Sequence, residues 1–112
     1  MKCSVKRTGV VLAEQVEEAK TFWARLKGLM FRVSLAKGKA LLLDPCPQIH
    51  TCFMRFNIDV IFLDKQNHVV AVLENLKPWR MSKFYCNSRR TLELPGGCLQ
   101  GCVQMGDELI FN

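Results

Sequence analysis

No apolar run in this sequence approaches the ~18 residues that a helix needs to cross a bilayer, so a helical membrane span is excluded. The opening residues, Met1-Lys2-Cys3-Ser4-Val5-Lys6-Arg7, lack an apolar h-region, and with no secretory signal the chain is expected in the cytoplasm. There is no internal repeat, linker or low-complexity segment, so nothing divides the chain. The tight cysteine pairs of common zinc modules are missing: the spacings are Cys46-x5-Cys52 and Cys98-x3-Cys102. Acidic residues are the minority, 10 against 16 basic ones, giving a net charge of +6. The basic residues are scattered rather than gathered on one stripe, which argues against a nucleic-acid partner.

What is present fits one globular domain, residues 1–112, with 49% hydrophobic and 23% charged residues. A chain of this size buries roughly 65% of the surface that its unfolded form exposes. The six cysteines, Cys3, Cys46, Cys52, Cys86, Cys98 and Cys102, read as reduced thiols, given the expected compartment and the ample aliphatic content.

Residues 3–7 and 10–12 suggest short strands. Val16, Ala19, Trp23, Leu26 and Met30 recur at helical spacing, with Phe22 and Leu29 widening the stripe. That pattern predicts a packed helix at about residues 14–27, stopped by Gly28. Strands are expected at 40–43, 49–54, 58–63, 68–73, 91–94 and 108–111, with a short helix near 98–102. Residues 75–90 read as a loop that carries Trp79, Phe84 and Tyr85. The fold class expected is therefore mainly β, an antiparallel sandwich or jelly-roll-like barrel with one packed helix.

The stretch Ile49 to Asp64 sets three polar side chains, His50, Arg55 and Asp59, among large apolar ones. Burying such groups without partners is costly, so they are either structural pairs or a site. As a site, Arg55 would clamp an anionic group, Asp59 would orient it or accept a proton, and His50 would act as acid or base. As structure, an Arg55–Asp59 ion pair would hold a bend and His50 would bond to backbone. Trp79 could line a groove or seal the edge of the core. Gly96-Gly97 before a helix could cradle an anion, although a turn is the simpler reading, and Gly106-Asp107 reads as a turn whose Asp caps amides.

Several of these residues carry a family likeness. Gly28-Leu29-Met30 with Arg32, Ile49-His50-Thr51, Met54-Arg55, Ile58-Asp59-Val60-Ile61-Phe62-Leu63-Asp64, Val69-Val70, Pro78-Trp79-Arg80, Leu92-Glu93-Leu94-Pro95 with Gly97, and Gly106-Asp107 occur in order over about residues 8–111. In these the chain resembles the small prokaryotic family known as domain of unknown function 192. The resemblance implies a mainly β fold of sandwich or jelly-roll type with a helix packed on it, and no established activity. Cys98 and Cys102 depart from the ordinary small or polar residues that the resemblance leads one to expect there.

The reading favoured on sequence is a non-enzymatic binding or accessory module that holds a small, anionic ligand or a peptide near His50, Arg55, Asp59 and Trp79. The alternative is a small hydrolase or isomerase that uses His50 and Asp59 as acid and base, so whether the chain is an enzyme stays open. No cofactor, metal or membrane partner is expected, and oligomeric state is not legible. Convergence of Arg32, Arg55, Arg80, Arg89 and Arg90 on one face would instead mark a nucleic-acid binder.

Overall fold

A computed structural model of the chain describes residues 1–30 and 32–112, with the side chain of Phe22 outside the described set. The strands are β1 (Cys3–Val5), β2 (Val11–Ala13), β3 (Gln15–Ala19), β4 (Lys39–Leu43), β5 (Ile58–Leu63), β6 (Val69–Leu76), β7 (Arg90–Pro95) and β8 (Leu109–Phe111). One helix, α1 (Phe22–Lys27), lies between β3 and β4. The strands form a three-stranded sheet, β2-β1-β8, and a five-stranded sheet, β3-β4-β7-β5-β6, with no closed barrel among the described residues. Every pairing is antiparallel except β3 with β4, which is parallel.

The larger sheet is a partition between two apolar clusters. On one face Ala40, Leu42, Ile61, Leu63, Leu92 and Leu94 pack against Cys3, Val5, Ala13 and Leu109 of the smaller sheet. On the other, Leu41, Leu43, Ile58, Val60 and Phe62 are covered by Leu29, Cys46, Ile49 and Met54, with Tyr85 laid against Phe62. The pleat dictates this division, since successive side chains point to opposite faces. All six residues of β5 are buried, as the apolar run Val60 to Leu63 requires of a strand covered on both sides.

The helix is shorter than the spacing predicts. Residues 15–19, expected within it, are strand β3, in register with β4 from Gln15↔Lys39 to Ala19↔Leu43. Val16 and Ala19 then face different cores, an odd spacing that a strand divides and a helix would not. Thr21 restarts the chain as N-cap, its Oγ1 accepting from the Ala24 amide at 3.1 Å. Trp23 is 74% exposed and Leu26 is 47% exposed, so the expected stripe is not a core face. The contribution of Phe22 to that stripe lies outside the described residues.

Two further expectations fail. Residues 49–54 form no strand beyond an isolated bridge between His50 and Met81, and residues 96–101 are turns rather than a helix. In both places side chains hold what backbone ladders do not. Thr51 is fully buried; its hydroxyl donates to Lys77 O at 2.6 Å and accepts from the Arg80 amide at 2.8 Å, locking residues 50–54 to residues 77–81.

Candidate functional site

Asp59 sits on β5 in phase with Ile61 and Leu63, so its side chain belongs to the inter-sheet face. It is fully buried. One carboxylate oxygen accepts from the Asn75 and Gly97 amides at 2.8 and 2.9 Å, and the other accepts from the Leu99 amide at 2.9 Å. The anion gathered by the Gly96-Gly97 turn is thus this internal carboxylate. Gly96 is required there by space alone, because a Cβ would stand 2.8 Å from Asn57 O.

The four residues singled out from the sequence do not converge. Arg55 is exposed and forms no ion pair with Asp59; among the described residues no carboxylate lies within pairing distance of it. Trp79 is 58% exposed, adopts a left-handed φ of 62°, and meets Phe53 edge-on with ring centroids 4.7 Å apart. His50 is half-buried on the far side of the sheet from Asp59, and its Nδ1 accepts from the Cys52 amide at 3.2 Å. The acid–base pair of His50 with Asp59 therefore lacks a shared cleft. The arginines scatter too: Arg32 pairs with Glu17, Arg89 lies 3.9 Å from Asp44, and Arg90 stacks over Phe111.

His50 does line a cleft, of about 250 Å³, over the second apolar cluster. Its walls are the end of α1 (Arg25 to Met30), the turn Pro45 to His50, Leu43 of β4, Met54, and Glu93 of β7. Leu29 and Met30, expected as core, thus also face this space.

Glu93 is the residue that the sequence does not single out beyond its place in the Leu92-Glu93-Leu94-Pro95 run. It alternates with Leu92 and Leu94 on a central strand, opposite Leu41 on one side and Val60 on the other. Only 3% of it is exposed, and burial pushes its carboxyl up to about 8, partly opposed by the positive charge of Arg32. Its Oε2 has no hydrogen-bond partner among the described residues. The same is true of Arg25 Nε, while Nη1 of that guanidinium donates to Pro45 O at 3.0 Å. An isolated Glu between two leucines was the available signal, since a charged residue in a doubly buried strand demands an explanation.

Cys46 lines the cleft, but burial raises its thiol, which donates to Gln48 O at 3.0 Å. Burial likewise pushes Cys98 up to about 11, in the turn beside Asp59. Among the described residues no three His, Cys, Asp or Glu side chains gather as a metal would need. Far from the cleft, Asp107 accepts from the Gln104 amide and from both Arg7 Nε and Nη2, and is held down to about 2 chiefly by Arg7.

Known proteins share this architecture. A crystal structure of a protein of unknown function from Novosphingobium aromaticivorans superimposes with a TM-score of 0.87 at 21% identity, covering 99% of this chain and 84% of that one. Another, from Sinorhizobium meliloti, gives 0.81 at 21% identity, covering 97% and 91%. At such identities the likeness concerns the fold alone. In sequence, a UPF0127 protein of Pyrococcus furiosus is 38% identical over 109 residues, 88% of this chain and 87% of its own length. A UPF0127 protein of Thermococcus sibiricus is 32% identical over 109 residues, 93% of this chain and 70% of its own length. The model of the family DUF192, described as "Uncharacterized ACR", matches residues 3–111. With the motifs in order and nearly the whole fold covered, the chain belongs to the DUF192 family.

Proposed function

We propose that the chain is a non-enzymatic binding module whose cleft between α1, the Pro45–His50 turn and β7 holds a small ligand with an apolar body and a polar head. One observation carries the reading: Arg25 and Glu93, each with a buried polar atom that has no partner among the described residues, both line one otherwise largely apolar cleft. Buried polar groups are normally hydrogen-bonded, and such exceptions on residues that line an apolar cleft favour that cleft as the place of a site. Leu29, Leu43, Ile49 and Met54 supply the apolar surface, and His50 and Gln48 add polar groups at its border. Binding is favoured over nucleophilic catalysis because the Cys46 thiol is raised by burial rather than activated.

The test is a fragment screen followed by amide-shift mapping on the full chain. Ligands are expected to perturb residues 25–30, 43–50 and 93. Perturbations confined to Arg55, Phe53 and Trp79 would move the site to the opposite end of the 50–54 loop and overturn the reading.

A further inference from the structure

A second surface lies apart from the cleft. Residues 49–54 and 79–82 run antiparallel: the Thr51 amide donates to Arg80 O at 2.8 Å, the Trp79 amide to Thr51 O at 3.0 Å, and the Ser82 amide to Ile49 O at 2.9 Å. This loop doublet, continued to Phe84, holds four large apolar side chains in the open. Phe53 is 48% exposed, Trp79 58%, Met81 71% and Phe84 63%. None of the four lines the cleft. Exposed apolar groups gathered in one region and rimmed by polar ones mark an interaction surface.

The charge around them has one sign. Residues 49–57 and 77–84 contain Arg55, Lys77, Arg80 and Lys83 and not one of the ten acidic residues. All four are exposed, and none pairs with a carboxylate among the described residues. Glu74, the nearest acid before Lys77 in the sequence, instead accepts from the Gly101 amide at 3.2 Å. The four cations carry most of the net charge of +6, because the other 12 basic residues are nearly balanced by the ten acidic ones.

We propose that this doublet docks on an anionic lipid bilayer, with Trp79, Met81 and Phe84 entering the interfacial region while Arg55, Lys77, Arg80 and Lys83 meet the headgroups. A bilayer answers both features at once. Indole rings settle at headgroup level, and long basic side chains reach from apolar surroundings to the charged layer. Each cation near an anionic leaflet adds about fivefold in affinity. A single-stranded nucleic acid fits less well: bases stack parallel to a ring, whereas Trp79 and Phe53 meet at 60°. Arg32, Arg89 and Arg90, which a nucleic-acid face would recruit, are engaged elsewhere. A purely acidic peptide would answer the cations and leave the apolar side chains in water. The patch is assembled from two segments of the chain, so no spanning run in the sequence announces it.

The experiment is co-sedimentation of the full chain with vesicles of phosphatidylcholine carrying about 30% phosphatidylserine, at low salt. Trp79 is one of two tryptophans, so Trp23→Phe leaves it as the sole reporter. Its emission should shift to the blue on binding and be quenched by brominated lipid. Pure phosphatidylcholine vesicles should bind roughly tenfold more weakly or worse, and raised salt should release the chain. Arg55→Gln and Lys83→Gln, both at exposed positions, should each weaken binding about fivefold. Trp79→Asn, a residue at home at the φ of 62°, should weaken it further with the urea midpoint unchanged. No sedimentation with the anionic vesicles, or equal binding to pure phosphatidylcholine, would overturn the proposal. So would binding that Trp79→Asn and Lys83→Gln leave intact. A single-stranded oligonucleotide held more tightly than the vesicles would overturn it in favour of nucleic acid.

Discussion

The buried Glu93 makes a prediction about the whole molecule that needs no ligand. Its carboxyl sits at 4.5 when unperturbed and at about 8 in the fold. Between those values the folded state holds a proton that the unfolded state has released, so stability falls as pH rises through this window. At pH 7 the interval is about 2.5 units, which at about 1.4 kcal/mol per unit is on the order of 3 kcal/mol. That is a large fraction of the ~5–15 kcal/mol that holds a typical domain together. The opposite trend comes from Asp107, held down to about 2 from 3.8, which supports the fold above pH 4 and loses that support as pH falls through 2. Burial of Cys3, pushed up to about 12 from 9.0, acts only in alkali, where the unfolded thiol ionises first. From these groups stability should therefore peak near about pH 4 and decline towards pH 8. Urea unfolding at pH 5, 6, 7 and 8 measures this, and Glu93→Gln supplies the control, since a neutral amide of similar shape does not titrate. The variant's stability should change little between pH 5 and 8, and by pH 8 it should exceed the wild type by roughly 4 kcal/mol. Wild-type stability that is flat or rising over this range, with a constant difference from Glu93→Gln, would refute the account of Glu93.

Three other perturbations probe the frame around the cleft. Asp59→Asn puts an N–H₂ group against at least one of the three amides that the carboxylate now receives, and should cost about 2–4 kcal/mol in urea unfolding; a change below ~0.5 kcal/mol would show that those bonds are dispensable. Gly96→Ala forces a Cβ against the Asn57 carbonyl at 2.8 Å, and a loss of about 1–3 kcal/mol is expected, whereas Gly9→Ala meets open space and is penalised only through its φ of +75°. Thr21→Ala removes the N-cap of α1 and should cost about 1 kcal/mol, with faster hydrogen exchange at the Ala24 amide as the local readout.

How far the sequence reaches can be judged from particular residues. Composition and the double-sided run Val60 to Leu63 place this inner strand and the fold class correctly, because these signals are local. Val16, Ala19 and Trp23 mislead because spacings of three and four residues also occur in a strand that runs into a capped helix. The parallel pairing with β4 that decides the matter is a contact across more than twenty residues. His50, Arg55 and Asp59 were marked as costly to bury, and that reasoning holds for Asp59 alone. Its partners are main-chain amides of a distant turn, which no spacing rule reveals. Glu93 escaped because alternation with leucines looks like an ordinary strand with one polar face. Only the second apolar cluster, covered by loops rather than by a sheet, turns that face inward.

The place of Glu93 on β7 has one more consequence. The strand is hydrogen-bonded on both edges, to β4 and to β5, so the backbone beneath the carboxyl cannot swing it outwards to water. An acid on a loop answers a change in its surroundings by moving; this one is fixed in place and can answer only through its proton and through its carbonyl vibration. The infrared band of protonated Glu93, separable from every other carboxyl by its loss in Glu93→Gln, is then a stationary gauge of polarity inside the cleft. Its frequency would register whatever enters the cleft, with no label attached to the protein.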